Sequence, residues 1–166
     1  YHGPHSQRLV EMLRQLHDVE FVTLCSSGTI AVELALRGIP VGPGDEVLVP
    51  PYTMSASATA IALAGATPVF VDIDSETWNI DPRQIEEKVS DRTSAILPVH
   101  VFSSPSDVIQ IQTIANRYGL KIICDAAHAM ATNYQEASVL NHGDISVLSF
   151  HTTKLFNTAE GGGLRD

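Results

Sequence analysis

Short apolar runs alternate with helical patterns along most of the chain, and this alternation constrains the fold more than any other feature. The runs Glu46–Val49, Pro68–Ile73, Ser94–Val99, Lys121–Cys124 and Ile145–Phe150 are nearly continuous in apolar residues. Between them, Thr29–Arg37, Ser55–Leu63, Pro82–Val89 and Ser106–Tyr118 carry helical spacing, and Gln7–Leu16 does so before the first run. Strands buried on both faces and alternating with helices predict a three-layer α/β/α fold with a mainly parallel sheet. The punctuation agrees. Asp81-Pro82 reads as an N-cap followed by proline at the first helical position, and Gly38, Gly65 and Gly119 follow predicted helix ends. The stretch 131–143 shows no clear element and is expected to be a loop or short turns.

The 166 residues suffice for one domain with a proper core, and 44% hydrophobic against 17% charged residues is a globular balance. A formal charge of −9 argues against nucleic acid as the main partner, because phosphate backbones demand clustered Lys and Arg. Cys25 and Cys124 have neither metal spacing nor the look of a disulfide framework and fit a reducing, cytoplasmic setting. No apolar segment approaches the length of a membrane span. Both ends read as cut: residue 1 is Tyr, and Gly161-Gly162-Gly163 looks like the start of another element. The expected organisation is an N-terminal helical segment, 1–20, and an incomplete large domain, 21–166, with a C-terminal small domain absent.

Open parallel sheets bind ligands at the carboxyl ends of their strands. That rule selects Tyr52–Met54, Asp125 and Ser149–Lys154, together with Ser26-Ser27-Gly28-Thr29 at a helix mouth. The helix mouth suits an anion, since its amides are unpaired and Gly28 permits close approach. Asp125 could keep a cationic ring nitrogen protonated. Lys154, near apolar groups, could have its basicity lowered enough for covalent chemistry with a carbonyl. Each has a plainer reading that prevails when it is taken alone: a helix cap, a strand-end cap, a solvated loop lysine. Walker and dinucleotide fingerprints are missing, which disfavours a Rossmann oxidoreductase, and no histidines pair at zinc spacing.

Taken together, the strings resemble one family. Ser-Ser-Gly-Thr (26–29), Gly-Pro-Gly-Asp-Glu-Val (42–47), Val-Pro-Pro-Tyr-Thr (49–53), Gly-Ala-Thr-Pro-Val-Phe-Val-Asp-Ile-Asp (65–74), Pro-Val-His (98–100), Asp-Ala-Ala-His-Ala (125–129) and Ser-Phe-His-x-x-Lys (149–154) occur in that order. Their order and spacing resemble the DegT/DnrJ/StrS-type sugar aminotransferases over about 20–166. The resemblance implies a fold-type I large domain with a seven-stranded sheet, whose last strand would follow the present chain. It implies pyridoxal 5'-phosphate (PLP) as cofactor, with Lys154 as the Schiff-base lysine and Asp125 as partner of the pyridinium nitrogen. It also implies Ser149, Gly28 and Thr29 at the phosphate, His128 beside the ring, and Met54 where an aromatic often stacks. Ser103-Ser104 stand where the family commonly has a glycine. The implied reaction moves an amino group from glutamate or glutamine to a keto sugar nucleotide, in a homodimer when full length. Lys154 argues against the dehydratase relatives, which carry histidine there. The alternative is a truncated PLP-binding domain without turnover.

Overall fold

A computed structural model describes residues 3–165. Helix α1 (Pro4–His17) leads into strand β1 (Thr23–Cys25), then α2 (Gly28–Gly38), β2 (Glu46–Val49), α3 (Ser55–Leu63), β3 (Thr67–Phe70) and α4 (Pro82–Lys88). There follow β4 (Thr93–Ile96), α5 (Val108–Tyr118), β5 (Lys121–Asp125), the hairpin β6 (Asn133–Tyr134) and β7 (Ala137–Ser138), β8 (Ile145–Ser149) and β9 (Gly162–Arg165). Seven strands form one sheet in the order β1-β9-β8-β5-β4-β2-β3. The pairs β2–β3, β2–β4, β4–β5 and β5–β8 are parallel, while β9 runs antiparallel to both β8 and β1.

The two-residue period of the strands sorts the core into two layers. Val47 and Val49 of β2 and Ile123 of β5 pack with Ala31, Leu36, Ala60 and Ile61 of α2 and α3. Leu48, Ile122 and Cys124 face the other way, against Ile85 of α4 and Ile111 and Ile114 of α5. Small residues along α3 let it lie close to the sheet and to α2. Helix α5 starts because the Asp107 carboxylate accepts from the Gln110 amide, 3.0 Å, and stops at Gly119 with φ 67. A third cluster joins Leu13 of α1 and Val19 to Leu140, Leu148 and Phe150, so α1 packs onto the domain. His17 Nδ1 lies 2.8 Å from Ser138 Oγ, and Asn141 Nδ2 donates to the His17 carbonyl at 3.1 Å.

Several expected boundaries move. The predicted helix over 106–118 begins at Val108, because Ser106 uses its hydroxyl and amide on Val99 and His100 instead. The strand over 68–73 ends at Phe70, with Ile73 bridged separately to Ile80. The largest correction concerns the sheet. Its seventh strand lies within the chain: the glycine cluster supplies β9, which slots between β1 and β8. Strand β1, only three residues long, carries no readable alternation and was not expected.

Candidate active site

The carboxyl ends of β2, β4, β5 and β8 and the mouth of α2 open onto one cavity of about 630 Å³. Gly28, Thr29, Met54, Asp125, His128, Ser149 and Lys154 all line it.

Asp125 ends β5 and is gripped through its backbone. Its amide donates to the Pro98 carbonyl, 2.9 Å, and its carbonyl accepts from the His100 amide, 3.0 Å. The next amide, that of Ala126, donates to Val147 of β8 at 2.9 Å. The Pro-Val-His string therefore has a structural task, fixing the strand end that carries the carboxylate. The side chain is buried; Oδ1 accepts from the Ala127 amide, 3.0 Å, and Oδ2 from the Ser57 hydroxyl, 3.1 Å. Burial pushes the carboxyl above its ordinary range. Those two hydrogen bonds, then the fields of His128 and Lys154, pull it back.

The mouth of α2 is built to be open. Ser27 caps the helix, its hydroxyl accepting from the Ile30 amide at 3.2 Å and its carbonyl from the Ala31 amide at 3.0 Å. Among the described residues, the amides of Gly28 and Thr29 find no such acceptor. A Cβ on Gly28 would sit 2.9 Å from the Ser149 Cβ, so only glycine lets the helix mouth close on the end of β8. The Ser149 hydroxyl thus stands beside these amides, and the three groups could hold an anion.

Lys154 sits on a loop, 151–160, whose neck is tied shut. Phe150 N donates to the Gly161 carbonyl, Thr158 N to Phe150 and Thr152 N to Ala159, all within 2.9–3.0 Å. Phe150 is 1% exposed and anchors the neck, with Phe156 edge-on at 5.7 Å. Burial lowers the basicity of the Lys154 amine and Asp125 partly restores it. His128 is pulled down by burial and then by Lys154, against an upward pull from Asp125. The cavity can therefore hold an anion at one end, meet a cationic nitrogen with a buried carboxylate, and present an amine.

Met54 lines the cavity but is 70% exposed. Phe102 stacks parallel on the His128 ring, centroids 5.7 Å apart, and Ser103 Oγ donates to the His128 carbonyl. Phe102 and Ser103 both hold left-handed backbone, φ 49 and 65. This explains why a glycine suits that loop. Other lining residues had no role assigned from the sequence: Thr53 and His151, which lie inside the selected strand-end runs, and Ser57, Phe102 and Glu160, which lie outside them. Thr53 and Ser57 stand four apart, a spacing that puts two hydroxyls on one side of a helix start and could have flagged them. His151 lies inside a quoted string without a role, and its Nε2 is 3.6 Å from Glu160 Oε1. For Glu160 the sequence holds no signal.

Among the described residues no helix is long and apolar enough to cross a membrane, and no group of three or more His, Cys, Asp or Glu could hold a metal.

Known proteins resemble the chain over nearly all its length. It is 47% identical to dTDP-4-amino-4,6-dideoxy-D-glucose transaminase of Shigella dysenteriae across 98% of this chain and 44% of that protein. It is 40% identical to GDP-perosamine synthase of Escherichia coli O157:H7 across 96% of this chain and 44% of that protein. The crystal structure of NtdA from Bacillus subtilis with bound cofactor PMP superposes with TM-score 0.93 at 35% identity, over 98% of this chain and 37% of that one. The chain thus spans less than half the length of these relatives. The DegT/DnrJ/EryC1/StrS aminotransferase family itself matches residues 1–164, and the chain belongs to that family.

Proposed function

We propose that the protein transfers an amino group from glutamate or glutamine to a keto sugar nucleotide, using PLP held in the cavity described above. The observation that carries this reading is the meeting, in one cavity, of a helix mouth that could hold an anion, a buried carboxylate and an amine of lowered basicity. That donor set fits PLP: Gly28, Thr29 and Ser149 would hold its phosphate, Asp125 its ring nitrogen, and Lys154 its aldehyde carbon, with His128 and Met54 beside the ring. When bound, PLP supplies an electron sink for the donor's α carbon. Asp125 holds a proton on the ring nitrogen. Displaced from the aldehyde carbon by the donor's amine, Lys154 Nζ would take the proton from the donor's α carbon and return one on the other side of the transfer; its lowered basicity suits both duties. The relatives' names, a transaminase of a dTDP-sugar and a GDP-perosamine synthase, support a nucleotide sugar as acceptor. A homodimer in the cytoplasm is the setting we expect. A second reading is PLP binding without turnover.

Borohydride reduction tests the cofactor assignment. The chain has three lysines, and Lys121 is committed to Asp144 at 2.6 Å. After incubation with PLP and reduction, the pyridoxyl label is expected on Lys154 and is lost in K154A. A label on Lys88 or Lys121 overturns the assignment. Glutamate-dependent conversion of bound PLP to the pyridoxamine form then separates transfer from binding alone.

A further inference from the structure

We infer that Ser57, supported by Thr53, is a positioning residue that orients the Asp125 carboxylate toward the cavity. The inference rests on the reading of Asp125 as partner of the cofactor's ring nitrogen. Ser57 lies in the first turn of α3, where a serine hydroxyl would ordinarily bond back to the backbone of its own helix. It does not do so here. It is 1% exposed and its Oγ crosses to Asp125 Oδ2 at 3.1 Å, from a position 68 residues earlier in the chain.

The direction of this bond is set by charge. An ionised carboxylate only accepts, so Ser57 donates. With its proton committed, the Ser57 oxygen is free to accept from the Thr53 hydroxyl, 2.9 Å away. The result is a short relay in which Thr53 polarises Ser57 and Ser57 holds Asp125. The Ala127 amide takes the other carboxylate oxygen. Each oxygen thus has one fixed donor, which sets the plane of the carboxylate and leaves its remaining acceptor capacity for the cavity it lines. Both donors also favour the ionised form, against the burial that opposes it.

The test compares S57A, S57T, T53V and D125N with the unaltered protein. PLP affinity is read by absorbance titration from pH 5 to 9, and folding is checked by circular dichroism. At pH 8 we expect PLP to bind about tenfold more weakly to S57A, the loss of one hydrogen bond to a buried charge. S57T is expected within about twofold of the unaltered protein, and T53V between the two. Affinity falls on acidification as Asp125 takes up its proton. In S57A that fall begins at higher pH, and S57T restores the original midpoint. A role in packing alone would not move a midpoint. Unchanged affinity and midpoint in S57A, or an S57T as impaired as S57A, overturns the inference while leaving Asp125 in place. A D125N that binds PLP as well as the unaltered protein overturns the Asp125 reading itself, and this inference with it.

Discussion

His100 shows how much a single buried side chain can reveal at the residue scale. Its Nδ1 accepts from the Ser106 amide at 3.1 Å, so the neutral ring carries its proton on Nε2, and that atom is buried with no partner among the described residues. Burial, helped by the nearby His142, lowers its pKa from 6.5 to about 4. The unfolded chain therefore binds this proton below pH 6.5, while the folded chain refuses it until about pH 4. Stability is full above 6.5 and falls as the pH drops through that window, by roughly 3 kcal/mol in all. Asp81, held at about 2 mainly by its hydrogen bond from Arg83, loses its contribution only below its ordinary 3.8 and so acts in a separate window. Denaturant unfolding at pH 7, 5.5 and 4 should show the His100 loss, and H100N, whose Oδ1 keeps an acceptor for Ser106 where Nδ1 stood, should flatten it. The residues of the site were largely legible because strand ends and helix mouths can be located from apolar runs and glycines. Asp125 and Ser149 are the last residues of β5 and β8, and Lys154 follows five residues past β8. The Ser57 contact was not legible, since a bond across 68 positions depends on how α3 packs against β5 and leaves no local trace.

At the scale of elements, the loop after His100 combines strain with contact. Ser103 holds φ 65, costing about 1 kcal/mol for a residue with a Cβ, yet its hydroxyl supports the His128 carbonyl. The two contributions can be separated. S103A keeps the strain and loses the hydrogen bond, so it should destabilise by about 1 kcal/mol. S103G loses the same bond but relieves the strain, so it should unfold at higher denaturant than S103A. If S103A proves the more stable of the two, the strain assignment fails. Helices were readable at this scale because caps and the 3.6-residue period agree, as at Asp107 and Gly119. The short β1 was not, because three residues with Cys25 and Thr23 carry no alternation, and only pairing with β9 makes them a strand.

The whole molecule depends on that same pairing. Without β9, strand β1 has no neighbour and the sheet ends at β8. Strand β9 also touches the site. A Cβ on Gly162 would collide with the Ser27 carbonyl and come within 2.8 Å of the Gly28 amide nitrogen, so the seventh strand and the helix mouth are fitted against each other by backbone alone. At Gly163 the nearest atom is the ring of Phe150 at 3.4 Å, an ordinary contact. Two neighbouring glycines should therefore behave differently. G163A should be tolerated within about 1 kcal/mol. G162V must displace either β9 or Ser27-Gly28, and should destabilise by about 3 kcal/mol or more. Because the displaced backbone carries the amides proposed to hold the cofactor's phosphate, G162V should also weaken PLP binding beyond what its unfolded fraction accounts for. G162V that unfolds like the unaltered protein would show that β9 is not locked against the helix mouth. A destabilised G162V whose folded fraction binds PLP normally would show that the strand supports the sheet without shaping the helix mouth.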